Sequence, residues 1–139
     1  MNLPGTNKQE VIQALLDIAY ATGKVSDRDA ALQSVLQRES RMSTGMEFGV
    51  AIPHGKTDAV DELLACMALK PEGVDFDALD GSRSRIFLFT LSPLSRKGPH
   101  VQFLTDVSRL LTRAQLREEL LEAESAERVV EILLSGVQR

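Results

Sequence analysis

SRIFLFTLS, residues 84–92, is dense in apolar side chains, nine residues long and bounded by the turn-formers of GSR before it and Pro93 after it. A short apolar run without polar alternation marks a strand buried on both faces, and such strands lie inside sheets covered by helices. Working outward, ELLACMALK (62–70) has the same character, so the two should be neighbours at the centre of one sheet. The connection PEGVDFDALDGSR (71–83) is rich in Gly, Asp and Pro but keeps Val74, Phe76 and Leu79, which suits a loop with a short edge strand or turn. Upstream, KQEVIQALLDIAYAT (8–22) repeats apolar residues at helical spacing and is followed by Gly23 as a stop. SDRDAALQSVLQRES (26–40) offers Ser26 and Asp27 as caps and carries Ala31, Leu32, Val35 and Leu36 on one face, predicting a second helix to about Glu39. Downstream of SPLSRKGP, His100, Phe103, Leu104, Val107, Leu110 and Leu111 form the stripe of a long helix. Two amphipathic segments follow, RAQLREELLEA (113–123) and SAERVVEILLS (125–135), the second capped by Ser125 and finished by Gly136. Helices, then strands, then helices, without repeats or linkers, describe one α/β sandwich domain over residues 1–139.

The composition narrows the function. The chain has 139 residues, sixteen Lys and Arg, twenty Asp and Glu, and a net charge of −4, with no basic block and few aromatics, which disfavours nucleic acid as a partner. No apolar run approaches the ~18 residues of a membrane span, and the first residues lack a basic leader, so the expectation is a cytoplasmic protein without membrane insertion. Cys66 is the single cysteine and reads as a small buried thiol within a strand.

Chemistry concentrates in GVAIPHGKT (49–57). The ending GKT suggests a phosphate cradle of the pattern G-x-x-x-x-G-K-[ST], but that frame requires glycine at position 50, where the chain has Val50. Pro53 also has no N–H to offer a phosphate. The other reading makes His54 the reactive group. A strand, FGVAI, ends in a rigid proline and presents an imidazole whose unperturbed pKa of ~6.5 leaves it largely neutral and nucleophilic near pH 7. Gly55 beside it allows close backbone approach. His100 opens the first turn of the long helix, where backbone N–H groups and the helix dipole favour an anion. Arg38 or Arg41 would add a charge-assisted fork to the oxygens of a phosphoryl group. Lys56 reads equally well as screening that charge or as a solvated surface residue.

These residues resemble the enzyme IIA domains of the mannitol/fructose type in the phosphoenolpyruvate-dependent sugar phosphotransferase system, including the nitrogen-regulatory IIA proteins. The family run Thr-Gly-Ile-Gly-(Asn or Glu)-Gly-(Ile or Val)-Ala-(Ile or Val)-Pro-His-Gly is matched by TGMEFGVAIPHG, Thr44 to Gly55. The similarity continues through PEGVDFDALDG, LFTLSP and HVQFLTDVSRLL, nearly the whole chain. The resemblance implies a three-layer sandwich with a mixed, mostly buried sheet flanked by helices. It also implies a phosphocarrier with no cofactor or metal, in which His54 accepts the phosphoryl group, His100 supports it and Arg38 stabilises it. The implied donor is phospho-HPr or a paralogous carrier. The downstream partner would be a IIB domain in sugar uptake, or a regulated transporter, kinase or transcription factor. Two departures stand beside the site, where Glu47 replaces a glycine and Phe48 an Asn or Glu. They read either as altering the donor interface or the reactivity of His54, or, by alternation with Val50 and Ile52, as a Phe48 that points into the core and a Glu47 that faces solvent. The alternatives in function are a regulatory module for which phosphorylation is only a switch, or a domain that has lost phosphotransfer.

Overall fold

The computed structural model describes Gly5 and residues 7–41, 44–45, 47–78, 80–94, 106–107 and 109–138. Helix α1 spans Lys8–Ala21, with Asn7 accepting the Glu10 N–H at 2.9 Å as its N-cap. It ends where Gly23 adopts φ +79, a left-handed conformation that glycine takes without a Cβ penalty. Helix α2, Arg28–Arg41, begins with the Asp27 carboxylate accepting the Ala30 N–H and runs two residues beyond the end expected from the sequence.

The sheet is built around β4, Ser84–Ser92, the strand that opened the sequence reading. On one side it pairs in parallel with β1 (Val50–Ala51) and β2 (His54–Lys56). The register is continuous, Val50 opposite Ile86 and His54 opposite Thr90, so β1 and β2 form one line of chain with a break at Ile52 and Pro53. Pro53 explains the break: its carbonyl accepts the Thr90 N–H at 3.1 Å, but it has no N–H to return to the ladder. The strand therefore does not end at the proline as its sequence suggests, and His54 lies inside it. On the other side β4 pairs antiparallel with β3, Leu64–Val74. β3 extends through Pro71–Val74 after a register shift, where the Arg83 and Arg85 side chains donate to the Gly73 and Pro71 carbonyls at 2.8 and 2.7 Å.

Alternation along β4 sorts the core into two halves. Phe87, Phe89 and Leu91 pack with Val11, Leu15, Leu16, Ala31 and Val35 of α1 and α2. Ile86 and Leu88 pack with Val50 and Ile52, and with Leu110, Leu111, Leu116, Leu120, Val129 and Ile132. The last of these come from helical residues 109–111, from α3 (Ala114–Glu122) and from α4 (Ala126–Gln138), which lie on the opposite face. The result is the mixed sheet between two helical layers. β4 is buried along both faces as expected, whereas Leu64–Met67 of β3 are only partly covered because β3 lies at the edge. The Ser125 hydroxyl caps α4 through the Arg128 N–H, and α4 continues past Gly136. Cys66 is half-buried in β3, and burial pushes its thiol pKa up.

Candidate functional site

β1 and β2 lie on the side of β4 away from β3, with Gly45 bridged to Ala51 beyond them, and α2 crosses directly over β2 at Gly55. A Cβ there would overlap the Ser34 hydroxyl and meet Val35 N at 3.0 Å. The close approach at Gly55 is thus made by the α2 backbone. The contact brings the last turns of α2 beside His54.

His54 is half-buried, and its Nδ1 lies 2.8 Å from the Ile52 carbonyl oxygen. A carbonyl only accepts, so Nδ1 carries the proton in this bond and the neutral ring keeps its lone pair on Nε2. Burial is the largest influence on its pKa and lowers it below the ordinary 6.5. The bond to Ile52 works upward, the Arg38 charge downward, the Glu39 charge upward and the Lys56 charge downward. The net effect favours the neutral, nucleophilic form near pH 7.

Arg38 therefore sits close enough to act electrostatically on His54, while Arg41, the alternative cation, occupies the final turn of α2 and contributes no resolved effect there. Lys56, two residues along β2, is half-buried on the same side of the strand and adds positive charge. His100 and the helix start after Pro99 lie outside the described residues. So the structure brings Arg38 close to His54.

Three features were not anticipated. Glu39 is buried at the end of α2, and both its oxygens lie 2.8–3.0 Å from the N–H and hydroxyl of Thr44. Its signal was present in the sequence, since Ala31, Val35 and Glu39 recur at intervals of four and form the buried stripe of α2. The second feature is a pair of hydroxyls, on Thr90 and Ser92, that are buried without a hydrogen-bond partner among the described residues. They stand opposite His54 and Lys56 in the ladder.

The third is Phe48, which does not enter the core. Its backbone is left-handed (φ 65°, ψ 24°), which turns the ring outward to 55% exposure. The Arg117 guanidinium lies 4.5 Å from the ring centroid, and the Phe48 N–H donates to Asp80 at 3.1 Å. Asp80, also bonded by the Ser82 hydroxyl and N–H, is held down to about 2. Among the described residues no cluster of His, Cys, Asp and Glu is placed to hold a metal, and no helix is long and apolar enough to cross a membrane.

A mixed sheet between helical layers defines an α/β protein, and its candidate site is a half-buried histidine on the sheet margin near an arginine. Residues 1–136 match the family described as phosphoenolpyruvate-dependent sugar phosphotransferase system, EIIA 2, and the chain belongs to that family. It is 42% identical to the PTS system fructose-specific EIIA component of Haloferax volcanii, over 97% of this chain and 88% of that protein. It is 33% identical to the fructose-specific EIIABC component of Bacillus subtilis, over 96% of this chain but 21% of that longer protein. Among solved structures, the nitrogen regulatory protein IIA-Ntr from Neisseria meningitidis superposes with a TM-score of 0.87 at 28% identity, covering 96% of this chain and 90% of that one.

Proposed function

We propose that the chain is a histidine phosphocarrier that accepts a phosphoryl group on Nε2 of His54 from phospho-HPr or a paralogous carrier. The single observation that carries this is the Nδ1–H···O bond to Ile52, which leaves the lone pair of a neutral ring on Nε2. The Nε2 lone pair attacks phosphorus in line, the N–P bond of the donor phosphohistidine breaks, and its electron pair returns to the donor ring nitrogen. A donor ring protonated on its other nitrogen then leaves as neutral imidazole. Such a loose transition state asks for positioning and charge stabilisation. Arg38 supplies cationic stabilisation, Lys56 adds to it, and His100 is proposed to support the group from the helix that follows. The setting is cytoplasmic, and the acceptor is a IIB domain. The fructose-specific relatives, one of which joins EIIA to B and C parts, favour this sugar-uptake reading. The likeness to a nitrogen regulatory protein favours a second reading, in which phosphorylation switches binding to a transporter, kinase or transcription factor.

The test is incubation with phosphoenolpyruvate, enzyme I and HPr, followed by detection of acid-labile, base-stable phosphate. Label on His54 that vanishes in His54→Ala is expected, and label persisting on another residue overturns the assignment. Arg38→Ala should slow labelling by ~100-fold, the effect of removing one stabilising charge from such a site.

A further inference from the structure

The His54 bond to Ile52 does not stand alone. Ile52 turns both its N–H and its carbonyl toward the outer margin of the strand, away from β4. The carbonyl accepts from His54 Nδ1 at 2.8 Å, and the N–H donates to the Thr44 carbonyl at 3.0 Å. Gly45, next in the chain, forms an antiparallel bridge with Ala51. The short segment 44–45 therefore acts as a splint along the margin that carries the histidine.

Glu39 holds that splint. Its carboxylate takes the Thr44 N–H at 2.9–3.0 Å and the Thr44 hydroxyl at 2.8–3.0 Å. Lys8, at the start of α1, pairs with the Glu39 Oε1 at 3.2 Å and with Asp77 at 3.3 Å, and lies over the Phe76 ring at 5.1 Å from its centroid. A buried carboxylate is expensive unless it is paired and its lone pairs are hydrogen-bonded, and Lys8 and Thr44 meet these needs. Removing the carboxylate leaves the Thr44 N–H and hydroxyl buried without their acceptor, and the segment that fixes Ile52 loses its anchor.

We propose that Glu39 is a positioning residue for His54, acting through Thr44 and the Ile52 carbonyl to hold the imidazole as the Nδ1–H tautomer with its lone pair on Nε2. Its catalytic consequence rests on His54 being the phosphoryl acceptor, but the tautomer itself does not. Glu39 also faces His54 electrostatically, opposing Arg38 and Lys56, while Lys8 pairs with the carboxylate and Asp77 pairs with Lys8.

The decisive measurement is the nitrogen-15 NMR spectrum of the His54 ring across pH in the full chain, in variants whose fold is checked by thermal melts. The parent should show the Nδ1–H tautomer. In Glu39→Gln the titration of His54 should move to lower pH, because a charge that favours the imidazolium is gone. Thr44→Val, which keeps the Glu39 charge but lacks the hydroxyl, should show a mixture of tautomers, and Thr44→Ser should restore the parent pattern. Asp77→Asn, which alters charge near Lys8 without touching Thr44, should leave the tautomer unchanged. Folded Glu39→Gln and Thr44→Val proteins with the parent tautomer and titration would overturn the proposal. If Glu39→Gln does not fold, the Thr44 pair decides alone. Failure of the parent to take label from phospho-HPr would count against the acceptor assignment and leave these ring measurements standing.

Discussion

Replacing Gly55 with alanine should destabilise the chain, although the change usually stabilises. At a position whose conformation alanine can adopt, the substitution gains ~0.4–1 kcal/mol by restricting the unfolded chain. Gly55 lies outside the left-handed region, so backbone strain does not forbid alanine. Space does. The new methyl would overlap the Ser34 hydroxyl, which donates to the Ala31 carbonyl at 2.7 Å, and would stand 3.1 Å from the Ser34 carbonyl carbon and 3.0 Å from Val35 N. Rotating the hydroxyl away loses a hydrogen bond of ~1 kcal/mol. The backbone contacts yield only if α2 backs off β2, and overpacking of this kind costs ~1–3 kcal/mol. Together these predict a net loss of roughly 2–3 kcal/mol, and a fall in Tm of roughly 10 °C for a chain of this length. Urea denaturation followed by circular dichroism measures it. Ser34→Ala in the same background should recover only the hydroxyl part, because the backbone contacts remain. A Gly55→Ala protein as stable as the parent would show that α2 is not pressed on the strand, and the reasoning that places Arg38 beside His54 would fail with it.

Three further outcomes follow from the same geometry. Because burial lowers the His54 pKa below 6.5, the native chain binds fewer protons than the unfolded one in the window beneath that value. The associated stability is complete above pH 6.5 and is lost as pH falls through the folded pKa, so urea midpoints from pH 8 to 5 should fall more steeply for the parent than for His54→Gln. Equal slopes would refute the burial argument. Phe48→Gly should be more stable than Phe48→Ala by ~1 kcal/mol, the left-handed penalty that alanine retains, a reversal of the order expected in ordinary backbone. Thr90→Val removes a buried hydroxyl that has no partner among the described residues and should raise stability by ~1 kcal/mol. A loss of that size would mean the hydroxyl is bonded.

The parts of the fold visible in the sequence are those decided by burial alone. Residues 84–92 read as a strand covered on both faces because nothing polar alternates there, and β4 is the centre of the sheet. The helix caps at Asp27 and Ser125 were legible because a side-chain oxygen there answers orphan N–H groups. What escaped depended on single backbone angles or on neighbours distant in sequence. Phe48 follows the alternation that would bury it, but one left-handed residue reverses the direction of its ring. Pro53 signals a strand end, yet a parallel margin loses only one rung at a proline and continues. Gly55 reads as a place of close backbone approach, and what approaches, the α2 backbone, lies some twenty residues away in sequence. His54 and Arg38 were legible as candidates, and the structure sets them close enough to interact. The Glu39 clamp was not, because charge on a helix is ordinarily solvated and only the stripe of Ala31 and Val35 marks this carboxylate as buried.

One turn of α2 supplies both charges that oppose each other at His54. Arg38 and Glu39 are consecutive, and their influences on the imidazole run in opposite directions, so burial dominates the pKa of the unmodified ring. The pair does not cancel toward a phosphoryl group. Glu39 is buried and committed to Thr44 and Lys8, with 6% of its side chain exposed, whereas Arg38 is only half-buried. On the proposed function, Arg38 is therefore the group of the two that answers a dianion on Nε2, because the carboxylate is already engaged by Thr44 and Lys8. That asymmetry predicts that Arg38→Gln slows phosphoryl transfer while leaving the His54 tautomer intact, and that Glu39→Gln disturbs the ring before any phosphate is present. A His54 titration that moves to lower pH in Arg38→Gln, as it should in Glu39→Gln, would show that the two residues share one role and that the division of labour along this turn is wrong.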